Sequence, residues 1–358
     1  MIFDMTTSSP LQHWAIFCKV VDNHGDLGVC WRLATQLAMR HKQVTLYVDE
    51  ASALQWMAPE GCEGVKVQAW PDNNELLAQY AAADVVIEAF GCDLPQIYQA
   101  AMAAWHKAPV WINLEYFSAE DAALRNHGLP SPVMRGPAKG MRKWFYYPGL
   151  TEDSGGVMSG MTHPDMSPSV QSISVKPASA LKISLFCYEP ASLGMWLQQL
   201  NDLPQGVSLS LTAGRATQAV RQVLLTYAEP AKFSFKELPY LSQAAFDAML
   251  AAQDLNLVRG EDSLIRAIWA GKAFLWQIYR QDDGAHHAKL AAFLKASHAP
   301  DMVVQAHLAW NADHATPLPA LSPEVLQVWT DWAGALRGRL AAQTDLLTRL
   351  ESFAAAQG

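Results

Sequence analysis

Short apolar runs alternate with amphipathic stretches along most of this chain, beginning at Trp14. The run from Trp14 to Val21 predicts a buried strand, and the segment from Val29 to Arg40 predicts a helix with one apolar face. Strands separated by helices indicate a parallel sheet, because parallel neighbours need a crossover connection. Further strands are predicted at Val44–Val48, Val65–Ala69, Val85–Ala89, Val110–Leu114, Leu181–Tyr188, Val207–Leu211, Phe233–Leu238, Leu255–Val258 and Phe274–Ile278.

A stretch rich in Gly, Ser and Pro, residues 151–180, interrupts this alternation. It holds few large apolar residues, which is typical of a connection between domains. We therefore predict two parallel α/β domains, residues 1–150 and 181–320, joined by a 151–180 linker. Residues 321–358 are expected to form a C-terminal helical segment, continuous from Ser322 to Ala355, that packs on either half.

The composition narrows the class of protein. Hydrophobic residues make up 51% of the chain and charged residues 17%, which excludes a disordered, collagen-like or coiled-coil protein. The net charge is −8, with no block of like charges, so we expect neither nucleic acid nor an anionic membrane as a partner. Five cysteines without a CxxC pair argue against disulfides and structural zinc. The expected location is the cytoplasm.

In open parallel sheets, ligands bind beyond the carboxyl ends of the strands, so the segments that follow strands are the first candidates for a binding site. The first strand runs into a DNxGDxG segment, Asp22 to Gly28, which has two glycines able to take positive φ. Its two carboxylates disfavour a dinucleotide pyrophosphate and suit a cationic or proton-donating group. Asp22 and Asp26 would then bind and deprotonate a nucleophile. The alternative is structural: Asp26 caps the helix, while Asp22 and Asn23 make an Asx turn.

A second segment of this kind, Arg259 to Ser263, follows the strand at Leu255–Val258. An arginine and a glycine beside a helix N-terminus suit a diphosphate, and Ser263 can donate its hydroxyl to a phosphate oxygen. Glu261 can accept hydrogen bonds from ribose hydroxyls. A capped helix start with acidic first-turn residues would explain Glu261 and Asp262 but not Arg259. One half would thus carry an acceptor and a base and the other an anionic nucleotide, as in GT-B glycosyltransferases.

Five segments carry a resemblance to a known family, and they keep its order. They are DNHGDLGVCWRL at 22–33, NLEY at 113–116, PG at 148–149, DLNLVRGEDS at 254–263 and WQIY at 276–279. In combination they resemble the EarP family, bacterial protein-arginine rhamnosyltransferases that modify elongation factor P. The resemblance implies a GT-B fold with two Rossmann-like parallel-sheet domains facing a central cleft. It also implies dTDP-β-L-rhamnose as donor and transfer to an arginine of elongation factor P with inversion.

The resemblance assigns roles by position. Asp26 matches the general base, and Asp22 matches the neighbouring essential acid. It places Asn23, Gly25 and Glu115 on the acceptor side. It places Arg259, Glu261, Asp262, Ser263, Gln277 and Tyr279 on the donor side, with Phe186, Tyr240 and Gln243 around the thymine base.

Neither a metal nor another cofactor is expected. The chain has no DxD motif, Asp282 and Asp283 are adjacent, and His286 and His287 lack an HExxH context. Two other functions stay open at this stage. One is a GT-B transferase for a small-molecule or lipid acceptor, and the other is a non-catalytic module that binds a nucleotide sugar.

Overall fold

The structure, a computed structural model, describes residues 11–20, 24–70, 80–160 and 180–358. Two compact units divide the chain. The first takes in residues up to Met158 together with Thr344–Gly358, and the second is Ser159–Gln343. Each unit is built on its own sheet.

The first unit begins with strands and helices in alternation. Its elements are β1 (His13–Cys18), α1 (Gly25–Met39), β2 (Gln43–Val48), α2 (Leu54–Met57), β3 (Val65–Ala69), β4 (Val85–Ala89), α3 (Gln96–Ala104), β5 (Val110–Leu114), α4 (Asp121–Asn126), β6 (Pro130–Pro132) and β7 (Arg142–Tyr146).

The second unit repeats the alternation. Its elements are β8 (Leu181–Leu185), α5 (Leu193–Asn201), β9 (Val207–Leu211), α6 (Arg215–Leu224), β10 (Ser234–Glu237), α7 (Gln243–Ala251), β11 (Leu255–Arg259), α8 (Gly260–Ala270), β12 (Ala273–Gln277), α9 (Ala285–Ala296), α10 (Asp301–Trp310) and α11 (Pro323–Ala341). The last helix, α12 (Leu346–Gln357), returns to the first unit.

The first sheet has the strand order β3-β2-β1-β4-β5-β7-β6. Every pairing is parallel except that of β6 with β7. Alternate side chains of β1 divide between two apolar clusters, because successive strand residues face opposite sides. Trp14 and Ile16 pack with Leu33 and Leu37 of α1. Phe17 packs in the other cluster, among aromatic rings that include Tyr98.

The second sheet has the order β10-β9-β8-β11-β12, and all its pairings are parallel. In both sheets the order reverses beside the first strand of the unit, which is the doubly wound arrangement predicted from the alternating pattern. The carboxyl ends of β8, β11 and β12 therefore meet at one edge. At that edge Arg259 pairs in register with Gln277.

Most strands lie where the apolar runs predict them, but two were missed. β6 has a proline at each end and is an edge strand, and β7 begins with Arg142 and Lys143, so neither has the apolar run of a buried strand. The charge of Lys143 is balanced by the buried Glu88, because its Nζ lies 3.1 Å from a carboxylate oxygen of that residue.

The C-terminal helical segment is two helices rather than one. Residues 342–345 separate α11 from α12, and the Asp345 side chain caps α12 by accepting from the Thr348 N–H at 2.8 Å. α11 belongs to the second unit and α12 to the first.

The first unit extends beyond the predicted start of the linker at residue 151, because α12 holds the following residues. The guanidinium of Arg349 donates to the carbonyls of Thr151, Glu152 and Ser154 at 2.7–3.1 Å. The Leu346 N–H donates to the Val157 carbonyl at 2.9 Å. In the part of the chain that the structure describes, no helix is long and apolar enough to cross a membrane.

A buried histidine fastens β12 to α10 in the second unit. His307 is fully buried, its Nδ1–H donates to the Val303 carbonyl at 2.9 Å, and its Nε2 accepts from the Trp276 N–H at 3.2 Å. Only the neutral ring satisfies both bonds, because protonation would set a second N–H against the Trp276 N–H. Burial lowers the pKa of His307 to about 4.

We therefore predict that the second unit loses stability as the pH falls from about 6.5 to 4. The unfolded chain takes up a proton at an ordinary histidine pKa of about 6.5, whereas the folded chain resists until about pH 4. The free energy of unfolding should fall by about 3 kcal/mol across this window. Urea unfolding at successive pH values measures it. His307→Gln should flatten the profile, and an unchanged slope in that variant would contradict the assignment.

Candidate functional site

The helix after β1 begins four residues earlier than predicted, at Gly25 rather than Val29. Gly25 and Gly28 both have helical backbone, so the expectation that they supply positive φ is wrong. His24 is the N-cap, and Asp26 lies in the first turn, which also rules out Asp26 as the cap. A first-turn carboxylate is favoured there by the helix dipole. Asp22 and Asn23 lie outside the described residues.

The loop after β5 brings polar groups to the Asp26 carboxylate. The Tyr116 hydroxyl donates to Asp26 Oδ2 at 3.3 Å. Beside it, Glu115 Oε1 accepts from the amide of Asn113 at 2.7 Å, and the Glu115 N–H donates to the Tyr146 carbonyl at 2.9 Å. The structure thus places Gly25, Asp26 and Glu115 at the carboxyl edge of one sheet, as the parallel topology requires.

The second predicted loop is instead a direct passage from strand to helix. Arg259 is both the last residue of β11 and the N-cap of α8, and Gly260 turns the chain with a φ of 66°. Ser263 is therefore helical and buried, and its hydroxyl donates to the Arg259 carbonyl. A hydrogen bond from this hydroxyl to a ligand would have to replace that internal bond.

Two aromatic rings hold the Arg259 guanidinium. Its central carbon lies 4.5 Å from the ring centroid of Phe186 and 4.6 Å from that of Tyr188. One of its nitrogens donates to the Cys187 carbonyl at 3.1 Å. Burial lowers the pKa of Arg259 from its ordinary value, yet a guanidinium stays charged at neutral pH. Cation–π contacts explain how a cation is tolerated at a helix N-terminus.

The acidic first turn of α8 is charge-compensated. Glu261 forms an ion pair with Lys289 of α9, and both side chains are largely buried. Asp262 is half-buried beside it in the same turn. A carboxylate paired in this way can still accept a hydroxyl hydrogen bond, and its charge no longer opposes an anion nearby.

The remaining donor-side residues divide into an inner and an outer group. Gln277 is buried at the end of β12, where its Oε1 accepts from the Tyr188 N–H at 2.8 Å. Tyr279 is exposed and makes an edge contact with Tyr188. Phe186 lies in the loop after β8, which ends at Leu185 rather than at the predicted Tyr188. Tyr240 is exposed before α7, and Gln243 is the first residue of that helix.

Several residues at these two places were missed from the sequence. On the first unit they are Tyr116 and Phe90, whose ring centroids lie 4.4 Å apart in a stack. On the second unit they are Tyr188, Arg215, Phe246 and Lys289. The signal for Tyr116 and Tyr188 was their place just after a strand. Phe246 and Lys289 lie inside helices, where nothing in the local pattern separates them from ordinary helix residues.

Two different chemistries follow from these arrangements. The edge of the first sheet offers an acid within reach of a hydroxyl donor, which suits a cationic acceptor group that must lose a proton. The edge of the second sheet offers a guanidinium and a helix N-terminus, which suit an anion such as a diphosphate.

One further polar cluster lies after β12 in the described part of the chain. His286, His287 and Asp313 bring their ligand atoms within 4.8 Å of one another. Asp313 also pairs with Arg280 at 3.1 Å, and His286 Nδ1 accepts the Gln281 N–H at 3.2 Å. A guanidinium already neutralises the single carboxylate, so this donor set is poorly suited to a divalent cation.

Comparison with known proteins supports a single family. The sequence model of the family described as elongation-factor P (EF-P) rhamnosyltransferase EarP matches residues 14–355. The chain is 38% identical to the protein-arginine rhamnosyltransferase of Pseudomonas putida, over 95% of this chain and 98% of that protein. It is 41% identical to the protein of the same name from Pseudomonas aeruginosa, over 84% and 87% of the two chains.

The chain belongs to the EarP family. The resemblance drawn from the five sequence segments is thereby confirmed, and the protein is an enzyme of the glycosyltransferase class.

Solved structures give the same fold. A structure described as the basis for EarP-mediated arginine glycosylation of translation elongation factor EF-P matches with a TM-score of 0.62 and 27% identity, covering 97% of this chain and 99% of that one. MurG of Acinetobacter baumannii matches with a TM-score of 0.51 and 14% identity, covering 96% and 99%. The second likeness shows the fold alone, which is GT-B, as predicted.

The EarP-family motif VRGEDS has a glycine where positive φ is required, and this generates a stability prediction. Gly260→Ala places a Cβ on a left-handed residue, which costs roughly 1–2 kcal/mol. Gly334, on the exposed face of α11 in the same unit, has helical backbone and open space around it. Gly334→Ala should therefore stabilise by about 0.5–1 kcal/mol. Calorimetric unfolding of both variants measures the difference, and shifts of the same sign would contradict the account.

Proposed function

We propose that this protein transfers L-rhamnose from dTDP-β-L-rhamnose to one arginine side chain of translation elongation factor P and thereby activates that factor. The observation that carries the proposal is the match of the EarP family over residues 14–355, which includes both the Asp26 and the Arg259 helix starts. The charges at these two helix starts support the proposal, since the Asp26 carboxylate suits the cationic arginine and the Arg259 guanidinium suits the anionic nucleotide.

The acceptor chemistry is demanding, because a guanidinium is delocalised and its pKa exceeds about 12. In our proposal Asp26 accepts the proton while the bond between the guanidinium nitrogen and C1 of rhamnose forms. Asp22 grips the planar group beside it, and Asn23, Gly25 and Glu115 shape the acceptor side. Full deprotonation before attack is then unnecessary.

The sugar leaves its donor in the same displacement. As the new C–N bond forms on one face of C1, the bond from C1 to the β-phosphate oxygen breaks on the other, which inverts the configuration. Arg259, the N-terminus of α8 and the Ser263 hydroxyl stabilise the departing dTDP, so no protein acid is needed. Because these groups supply the charge stabilisation, the proposed reaction uses neither a metal nor another cofactor.

The nucleotide is proposed to bind wholly on the second unit. Glu261, with its charge balanced by Lys289, accepts hydrogen bonds from the ribose, and Asp262 lies beside it. Phe186, Tyr240 and Gln243 surround the thymine, while Gln277 and Tyr279 complete the donor side. The edge contact of Phe186 with Phe246, at 5.5 Å between centroids, adds a second ring to this group.

The partners in this proposal are elongation factor P and the sugar nucleotide, with no nucleic acid and no membrane. A cytoplasmic location fits the five free thiols.

The intact mass of elongation factor P tests the function. After incubation with this protein, dTDP-rhamnose and EDTA, the factor should gain one deoxyhexose. A factor with lysine in place of the acceptor arginine should gain none, because an ammonium lacks the planar fork. Free arginine at equal concentration should react poorly, since it lacks the protein surface that orients the nucleophile. Equal rates for free arginine and the folded factor would refute a protein acceptor, and loss of turnover in EDTA would refute metal independence.

Two variants test whether Asp26 accepts the proton while Arg259 binds the nucleotide. Asp26→Asn keeps the shape of the side chain but removes the proton acceptor, so turnover should fall by roughly 10²- to 10⁴-fold with unchanged affinity for dTDP. Arg259→Lys keeps the charge but loses the planar contact with Phe186 and Tyr188, so dTDP affinity should fall roughly 10- to 100-fold. Calorimetry with dTDP and single-turnover assays measure the two effects. Weakened dTDP binding in Asp26→Asn, or unchanged binding in Arg259→Lys, would contradict the assignment.

A further inference from the structure

The loop after β4 contains an unusual backbone conformation. Phe90 has a φ of 56°, which bulky residues rarely adopt, and Gly91 follows with a φ of 63°. Such residues persist only where their surroundings fix them, and they cluster at functional sites. Here the Phe90 N–H donates to the Leu114 carbonyl at 2.7 Å, and the Gly91 N–H donates to Asn113 Oδ1 at 3.3 Å. The loop after β4 is thus fastened to the end of β5.

The strained residue supports an aromatic side chain on the neighbouring loop. The rings of Phe90 and Tyr116 stack with centroids 4.4 Å apart and planes 16° from parallel. Asn113, which holds Gly91, also donates to Glu115 at 2.7 Å, so one amide bonds to both loops. The Tyr116 ring thus stacks on Phe90 and follows a residue held by Asn113, although 41% of Tyr116 is exposed.

The fixed ring brings its hydroxyl to Asp26. Tyr116 donates to Asp26 Oδ2 at 3.3 Å, which is longer than the usual hydroxyl–carboxylate bond. Catalytic hydrogen bonds are often long without substrate and tighten in the reacting complex. A hydroxyl donor on a carboxylate oxygen favours the ionised acid, which is the form that accepts a proton.

We propose that Tyr116 is a positioning residue for the Asp26 carboxylate, held in place by the left-handed Phe90. The inference rests on the proposed function, in which Asp26 is the base, and adds the group that orients it. The left-handed backbone of Phe90 then has a role, since it fixes the orientation of the ring on which Tyr116 stacks.

Other titratable groups lie along α1 and on the adjoining loop. Cys30 is buried one turn along α1, and Asp26 is one of the minor causes that raise its pKa, after burial and Cys18. His24 is the N-cap of the same helix, and Glu115 precedes Tyr116 on the adjoining loop. None of these groups carries a hydroxyl, so a Tyr116→Phe change removes this donor and leaves the other charges in place.

Tyr116→Phe keeps the stacked ring and deletes only the hydroxyl. We expect turnover on elongation factor P to fall about five- to twentyfold, with unchanged dTDP affinity and unchanged melting temperature. The acidic limb of the pH profile should move upward by about half to one unit, because the carboxylate loses a stabilising donor. Tyr227→Phe on the second unit, which removes a buried hydroxyl without a hydrogen-bond partner, is the control and should match the wild type.

Tyr116→Leu removes both the ring and the hydroxyl, so its comparison with Tyr116→Phe distinguishes the role of the ring from that of the hydroxyl. If Tyr116→Phe behaves as wild type while Tyr116→Leu is inactive, the ring itself serves the acceptor and the proposal is overturned. A slower Tyr116→Phe enzyme with an unmoved acidic limb would also overturn it, because a merely structural role has that signature.

A measurement without the acceptor keeps the inference separate from the proposed function. Carbon NMR of the Asp26 carboxyl in the full chain should show its pKa rising by about half a unit or more in Tyr116→Phe. An unchanged Asp26 pKa refutes the inference whether or not elongation factor P is modified. Failure of the wild type to modify the factor, with the NMR shift present, would refute the function alone.

Discussion

Parallel strands can pair only if the chain crosses back over the sheet, and each crossing delivers the next strand in the same direction. All the carboxyl ends of a parallel sheet therefore meet at one edge, where helices begin with their N–H groups exposed. This constraint places Asp26 and Glu115 together on the first sheet, although 89 positions separate them. It does the same for Arg259 and Gln277 on the second.

The two edges differ in charge, although both are helix starts. In the first unit a carboxylate lies in the opening turn of α1, where the dipole stabilises it. In the second unit the N-cap residue of α8 is Arg259, and the rings of Phe186 and Tyr188 stabilise its guanidinium. An unfavourable cation maintained by aromatic contacts is a stronger indication of an anionic ligand than a helix N-terminus alone. The acids of α8, for their part, are balanced by Lys289.

The sequence predicted most strands because a strand buried on both faces has a continuous apolar run. The predicted start of α1 was four residues late, because the sequence alone does not distinguish Gly25 and Gly28, which are helical, from Gly260, which takes positive φ. The strands β6 and β7 escaped detection because prolines and basic residues mark their ends.

Side-chain partners were harder to predict than elements. The contacts of Tyr116 with Asp26 and Phe90, and of Lys289 with Glu261, join residues that are 26 to 90 positions apart, and no local pattern encodes them. Motif resemblance supplied most of the candidate site residues, and their roles stay predictions.

We propose that the second unit binds the nucleotide and that the first unit carries the acid that receives the acceptor. Amide hydrogen exchange of the full chain with dTDP alone tests this most directly. We expect slower exchange in the Arg259–Ser263 segment and in the loop that holds Phe186 and Tyr188, with exchange at residues 24–30 unchanged. Protection of residues 24–30 without protection of Arg259–Ser263 would contradict it.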